Sequence, residues 1–480
     1  MTIRAFLSVI FILLLSCQAR AFDPEQTRVQ SFLSSHCLRC HGLKSQKADR
    51  RFDQLDFTKI RLTDAGLLQD ILDQLNLGAM PPEGEAQPDA DEIKQAVSFL
   101  NSLLNRLGEE SQTSSGNVIL RRLNRNEYRN TIRDLFDLEM ERIFERLWVY
   151  IGHESQVKNP GDYYLARVGR QPMMMTRDHN GEIHVLYNRC PHRGAQLCTA
   201  RKGNAGRRIR CSYHAWFFDL DGRLDKIPAS DGYDGTNLKM DAPEFQVQKA
   251  PRVDNYRGFW FASLSENGPS LKSHLGNSTV AFDQLIDRAP GGETEVVGEC
   301  FRMVQQSNWK IFLENQLDAS HPGATHESTG IAAMTVEKDM RSAGDEPPIA
   351  YGYLSDFARI GIDGWGKFGT VAHPQGHCSL EGYMGIRPDD PDTNEYVKLM
   401  YQAYGEAKAE EILGVNLHHL LVYPCLSIQP PLQQLRSIRP LGPDRTLTEI
   451  WHFRLKGAPE AIYQRSLGYY YLVNSPSTMV

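Results

Sequence analysis

The chain is poor in the features that mark nucleic-acid binders, disulfide scaffolds and membrane spans. It has no long basic run, and its 53 Lys and Arg are outnumbered by 59 Asp and Glu. A formal net charge of −6 argues against a nucleic-acid partner. Nine cysteines lie at positions 17, 37, 40, 190, 198, 211, 300, 378 and 425 of 480 residues. Four of them fall inside metal or haem motifs and the rest are scattered, so no dense disulfide framework is expected. Long apolar runs are also missing: the stretch 5–15 is too short to span a bilayer as a mature helix. Carboxylates run out early, with Asp444 the last Asp and Glu460 the last acidic residue.

What the sequence does contain begins with "MTIRAFLSVIFILLLSCQARAF". One Arg, an apolar core and Ala19-Arg20-Ala21 have the form of a signal peptide over 1–21. "LLSC" at 14–17 offers a second reading, a lipoprotein box with Cys17 as the lipidated residue. A buried N-terminal helix is the plain alternative. Length and a 41% hydrophobic, 23% charged composition point to about three globular units beyond it.

"HCLRCHG" at 36–42 holds Cys-x-x-Cys-His. Cys37 and Cys40 would form thioethers to haem vinyls, with His41 as proximal axial ligand. "LGAMPPEGE" offers Met80 as a sixth ligand on a proline-stiffened loop. The following segment has Ile93, Val97, Leu100, Leu104 and Leu107 at helical spacing. Zinc is the competing reading, but it wants more ligands than the nearby His36. Met80 could equally be a packing residue. With "LRRLNRNEYRNTIRDLF" at 120–136, the stretch 28–138 resembles planctomycete-type cytochrome proteins, in which a small cytochrome c domain precedes a helical module. There Asn124 and Glu127 can form a capping box, and Tyr128, Ile132, Leu135 and Phe136 share a face that reads as ordinary packing. "GEESQTSSGN" is a polar linker.

Further on, Asn180-Gly181 predicts a hairpin turn, and Ile183, Val185 and Tyr187 alternate as a strand leading to Cys190 and His192. "RRIRCSYHAWFFDLDGRL" repeats the plan, delivering Cys211 and His214 before a turn at Asp221-Gly222. Cys-x-His and Cys-x-x-His on two tips suit a Rieske [2Fe–2S] centre, with two thiolates on one iron and two imidazoles on the other. Zinc is again the alternative. The wording resembles the Rieske domain of aromatic-ring-hydroxylating oxygenase α subunits, beginning at about residue 143. Respiratory Rieske proteins carry an extra Cys in each loop. Tyr213 stands at that place here, which leaves Cys198 an ordinary thiol.

"NWKIFLENQLDASHPGATH" at 308–326 sets Asp318 three residues before His321, on one face if helical, with Pro322-Gly323 breaking the helix before His326. Two imidazoles and a carboxylate make the facial triad of non-haem Fe(II) oxygenases. The stretch is similar to that family's motif, which implies His321 and His326 as iron ligands. It also implies Asp318 as a bridge to His214 of the partner subunit in a homotrimer. His373, His377, His418 and His419 are left as structural or pocket-lining. The segment from "VYPC" to "WHF" reads as strands turning at Gly442-Pro443-Asp444. The family's carboxylate ligand is an Asp shortly after a stretch like "YYYLVNSPSTMV". The third iron ligand is therefore expected beyond Val480, and the 480-residue chain is expected to bind iron weakly and turn over poorly.

The expected organisation is multidomain. A signal peptide (1–21) precedes a small all-α cytochrome c domain (22–108), then a linker and partial helical module (109–142). An all-β Rieske domain (143–260) leads to an α+β, helix-grip-like catalytic domain with an antiparallel sheet (261–480). The resemblance implies the terminal oxygenase of a ring-hydroxylating dioxygenase. Its cofactors would be a [2Fe–2S] cluster, mononuclear Fe(II) and haem c, with NAD(P)H acting through a flavin reductase or ferredoxin. It would act on an aromatic small molecule, with or without a small β subunit. Two other readings stand beside it: a haem/Rieske electron-transfer protein without turnover, and a chimeric or truncated product. The leader implies export; without the fusion, the oxygenase part would be cytoplasmic.

Overall fold

A computed structural model describes residues 24–82, 84–113, 135–382, 387–415 and 417–475. The expected leader with Cys17, the Asn124–Glu127 capping box with Tyr128 and Ile132, and the end of the chain at 476–480 lie outside the described residues. The chain divides into two compact units, 1–132 and 133–480.

The first unit is built on helices α1 (Pro24–His36), α2 (Ala65–Asn76) and α3 (Ala90–Thr113). In α2, Leu68, Ile71, Leu72 and Leu75 repeat at helical spacing and are buried. Across from them α3 buries Phe99, Leu100, Leu103, Leu104 and Leu107. Ile93 and Val97 pack at the rim. Asp89 and Glu92 start α3 with reciprocal bonds: Glu92 N–H donates to Asp89 Oδ1 at 2.7 Å and Asp89 N–H to Glu92 Oε2 at 3.0 Å. Each orphan amide of the first turn that finds a carboxylate removes a helix-end penalty.

The second unit begins ahead of residue 143. Residues 135–139 are helical and run into one wide turn, Met140–Phe144. Met140 and Phe144 are buried in the large core. Strands β1 (Val149–His153), β9 (Arg252–Tyr256) and β10 (Phe259–Ser263) form a small sheet in the order β1-β10-β9. Between β1 and β9 lie two further antiparallel sheets. One has the order β4-β3-β2-β5: β2 (Asp162–Val168), β3 (Gln171–Arg177), β4 (Ile183–Tyr187) and β5 (Lys202–Asn204). The other is β6 (Arg208–Arg210), β7 (Phe217–Asp219) and β8 (Leu224–Lys226).

The remainder is α+β. Its eight-stranded antiparallel sheet runs β11-β18-β17-β16-β15-β14-β13, with β12 also pairing β18. The strands are β11 (Thr294–Val296), β12 (Phe301–Gln305), β13 (Gly369–Ala372), β14 (Cys378–Glu381), β15 (His419–Val422), β16 (Leu426–Gln429), β17 (Gln434–Gly442) and β18 (Arg445–Leu455). The expected turn after Gly442 is present, because Gly442 pairs with Arg445. Helices α4 (Trp309–Asn315), α5 (Pro322–Thr325), α6 (Glu327–Ala343), α7 (Ile349–Arg359) and α8 (Glu460–Val473) complete the parts that shape the site. Among the described residues, no helix is long and apolar enough to cross a membrane.

Candidate active site

The first site forms at two hairpin tips. The β3–β4 turn closes as predicted. Asp178 Oδ1 accepts from Asn180 N–H at 2.8 Å and Glu182 N–H at 2.9 Å, and Gly181 takes φ +90°. After β4 the chain is pinned by buried Asn188, whose Oδ1 accepts from the amides of Leu197 and Cys198. Cys190 N–H then donates to Ala195 O at 2.8 Å, closing the first loop. The second loop copies it, with Cys211 N–H donating to Trp216 O at 2.9 Å. Gly222 turns the chain beyond β7 with φ +94°, and a Cβ there would lie 2.8 Å from Val247 O. Only glycine fits both demands.

These loops sort their ligands by chemistry. Cys190 and Cys211 are buried side by side. The His192 and His214 rings lie 4.6 Å apart at the outer edge. Trp216 stacks on His192 at 4.6 Å and 1°, and Tyr213 lies 3.9 Å from His214. Burial raises the Cys190 thiol to about 11, so the thiolate form calls for a cationic partner. A thiol pair inside and an imidazole pair outside fit a two-iron cluster, one iron for each pair. Cys198 is a separate buried thiol.

The second site is a cavity of about 410 Å³ beneath the large sheet. Asp318, His321 and His326 all line it. The expected helix through Asp318 and His321 is corrected here: α4 stops at Asn315, and Pro322 opens α5 instead of ending a helix. Proline suits a first helical position because its missing N–H would have had no partner there. Asp318 Oδ1 accepts from the Ser320 and His321 amides at 2.8 and 3.3 Å, so a side-chain turn joins the two helices. His321 Nδ1 donates to Asp318 O at 2.8 Å, which leaves the lone pair on Nε2. Asn315 Nδ2 lies 3.3 Å from that nitrogen. The His321 and His326 rings are 5.3 Å apart. Burial, then the neighbouring His321, lowers the His326 pKa, favouring the neutral ring a metal needs.

The other histidines divide. His418 and His419 stack at 4.5 Å in the cavity wall. His377 is structural, with Nε2 donating to His274 O at 2.6 Å and Nδ1 accepting from Tyr423 N–H at 3.0 Å. His373 Nε2 sits 2.8 Å from Ser379 Oγ. Among the described residues, Asp318 is the single carboxylate lining the cavity, and no three His, Cys, Asp or Glu converge on one ion. The imidazole pair thus fits two positions of a facial triad.

Sequence reading missed three residues of this wall: Gln316, Arg436 and Tyr469. The available signal was Arg436 itself, a cation within a buried strand. It also missed Glu139, which accepts from Trp309 Nε1 at 2.8 Å and pairs with Lys310, tying residues 135–139 to α4.

In the first unit, Cys37, Cys40, His41 and Met80 line one cavity of about 350 Å³. His41 stacks on Phe52 at 4.7 Å, and its Nδ1 is buried without a partner. Ile71 and Leu75 of α2 supply apolar wall. Two thiols, an imidazole and a thioether around an apolar slot fit a covalently held haem.

Paired thiols and paired imidazoles that fit a two-iron centre, in one compact unit with an imidazole pair lining a cavity, are the features of a Rieske non-haem iron oxygenase. The comparisons agree. The Rieske [2Fe-2S] domain profile matches residues 147–249, the planctomycete cytochrome C profile 37–84, and a protein family of unknown function 121–147. The chain is 35% identical over 328 residues to the toluate 1,2-dioxygenase subunit alpha of Pseudomonas putida, covering 67% of this chain and 68% of that one. It is 34% identical over 321 residues to the anthranilate 1,2-dioxygenase large subunit of Acinetobacter baylyi, covering 65% of each. It is 32% identical over 337 residues to a Pseudomonas putida benzene 1,2-dioxygenase subunit alpha, covering 68% and 69%. The matches thus span about two thirds of those relatives. Naphthalene 1,2-dioxygenase from Rhodococcus sp. bound to indole superposes with a TM-score of 0.54 at 25% identity, over 72% of this chain and 76% of that one. A naphthalene 1,2-dioxygenase variant bound to phenanthrene gives a TM-score of 0.59 at 24% identity, over 72% and 75%, and shows the shared fold.

The chain belongs to the α subunits of ring-hydroxylating dioxygenases. It is a terminal oxygenase component whose cofactors are a Rieske [2Fe–2S] cluster and non-haem iron, joined to a cytochrome c domain.

Proposed function

We propose that this chain hydroxylates an aromatic ring with O2 in the cavity beside His321 and His326, drawing electrons through the Rieske centre. The carrying observation is that the Cys190/Cys211 and His192/His214 pairs share one compact unit with that cavity. In this reading Cys190, Cys211, His192 and His214 hold the cluster, and His321 and His326 hold the iron. Bound Fe(II) supplies O2 activation. The chain's own residues do the rest. The Asp318 carbonyl fixes the His321 tautomer, and Asn315, 3.3 Å from Nε2, would give up that contact when the iron binds. Phe312, Phe357, Trp365 and Leu380 wall the cavity against water.

Cys37, Cys40, His41 and Met80 hold haem c in the first unit. The domain boundaries follow the same reading: cytochrome over 22–108, Rieske over 143–260, and a helix-grip-like catalytic domain from 261. Partners are a ferredoxin or flavin reductase fed by NAD(P)H. Asp318 suits a homotrimer bridge to the partner subunit's His214, because half of its side chain is exposed. Haem attachment and the apolar run at 5–15 support export, which cell fractionation tests. Relatives named for toluate and for benzene leave the substrate class open between acid and hydrocarbon.

The test is O2 uptake by the iron-loaded full chain with NADH, a reductase and a ferredoxin, across a panel of aromatics. Substrate-dependent uptake is expected. His321→Ala should abolish it while leaving the Rieske absorbance intact. Uptake that survives this substitution refutes the site.

A further inference from the structure

Arg436 has no assigned work in the oxygen chemistry, yet among the described residues it is the one strongly basic side chain in the cavity wall. Its strand, β17, presents two arginines with different fates. Arg439 meets buried Glu449, with Nη2 2.9 Å from Oε2. Arg436 meets no carboxylate among the described residues. Its Nη1 donates to Gln316 Oε1, and its Nε is buried with no partner among the described residues. The residue is 8% exposed. A buried cation without a counter-ion is costly, and a guanidinium binds a carboxylate in two parallel bonds.

The neighbours do not neutralise it. Burial pushes His418 down to about 3 and His419 well below its usual value, so both rings are uncharged at neutral pH. Burial raises Tyr469 to about 12, so its phenol is uncharged too. Asp318 is half exposed and already accepts from two backbone amides. Burial lowers Arg436 itself to about 10, which leaves it charged at neutral pH. The cavity therefore holds a positive charge inside and apolar wall around it.

We propose that Arg436 anchors the carboxylate of an aromatic acid of the benzoate class, leaving its ring among Phe312, Phe357, Trp365 and Leu380 beside His321 and His326. Gln316 holds the guanidinium from the turn after α4, so the anchor and the imidazoles share one support. The assignment rests on the cavity being the oxygenase substrate site.

Equilibrium binding tests it. Calorimetric titration of the full chain with benzoate and with nitrobenzene compares a carboxylate with a neutral molecule of similar shape. Benzoate should bind at least roughly 10-fold tighter, as a charged hydrogen bond implies. Arg436→Met should weaken benzoate by roughly 10- to 150-fold and leave nitrobenzene within about 3-fold. Arg436→Lys should recover part of the loss. Equal affinities for the two ligands on the unsubstituted chain overturn the proposal, whether or not Arg436→Met folds. So does unchanged benzoate affinity in Arg436→Met. The two readings fail separately. Benzoate held through Arg436 without O2 uptake refutes the oxygenase reading and keeps the anchor. Uptake on a hydrocarbon without preference for benzoate refutes the anchor alone.

Discussion

Replacing Glu139 tests how the iron-site helix is held. Its carboxylate is 7% exposed and serves two donors, the Trp309 indole N–H at 2.8 Å and the Lys310 ammonium. The donors differ in kind. Trp309 is 1% exposed, so an indole N–H without its acceptor keeps the full cost of desolvation, about 1–3 kcal/mol. Lys310 is 43% exposed, so water takes over its charge, and the ion pair contributes less than about 1 kcal/mol. Glu139→Leu should therefore cost about 1–4 kcal/mol. Glu139→Gln keeps an oxygen for the indole and should cost about 1 kcal/mol. Lys310→Met leaves the buried Glu139 carboxylate with the indole as its remaining donor and should cost about 1–3 kcal/mol. Urea unfolding followed by tryptophan fluorescence, with all cofactors loaded, ranks the three variants. A Glu139→Leu loss no greater than that of Glu139→Gln would refute the reasoning, because the buried indole would then not need its acceptor.

Three further outcomes follow from the same geometry. Burial holds His153 down to about 3, His274 to about 4 and His452 to about 3. Protons then bind the unfolded chain first, so stability is full above about pH 6.5 and falls toward the folded values, by about 1 kcal/mol per histidine between pH 6.5 and 5.5; flat urea midpoints over that range would contradict this. Cys190→Ser should remove the iron–sulfur absorbance and Cys198→Ser should keep it, since Cys198 lies outside the ligand pair; equal loss in both would refute the assignment. Met80→Leu should keep covalent haem through Cys37 and Cys40 but lower its potential in a redox titration, and an unchanged potential would remove Met80 as a ligand.

The parts legible in the sequence were those set by local chemistry. The Asn180-Gly181 and Gly442–Asp444 turns, the cytochrome helix after Met80 and the two ligand tips all depend on neighbours in the chain. Legibility ended where distant segments decide. The alternation of Ile183, Val185 and Tyr187 predicted a strand leading to Cys190 and His192. In the fold Leu186 is buried as well, because β4 lies between two cores. The three-residue spacing of Asp318 and His321 suggested a helix, but a side-chain turn gives them the same proximity. Arg436 and Glu139 acquired meaning only from partners far away in sequence, Gln316 and Trp309.

The haem domain bears on the direction of electron flow. A thioether ligand raises a haem potential, whereas the span open to Rieske centres, about −150 to +300 mV, extends to low values. Electrons move spontaneously toward the higher potential. A haem held by His41 and Met80, if it exchanged electrons with the Rieske centre, would drain a low-potential one and feed one only near the top of that span. Turnover would need the Rieske electrons to reach the iron that His321 and His326 would hold, so a draining haem would compete with it. The fused cytochrome is a productive donor only if the Rieske potential is raised. Imidazole ligation sets that span itself, so the place of this centre within it depends on what surrounds the ligands, among them Trp216 stacked on His192 and Tyr213 against His214. The two midpoint potentials, measured on one sample, therefore separate a haem that supplies the oxygenase from one that diverts its electrons.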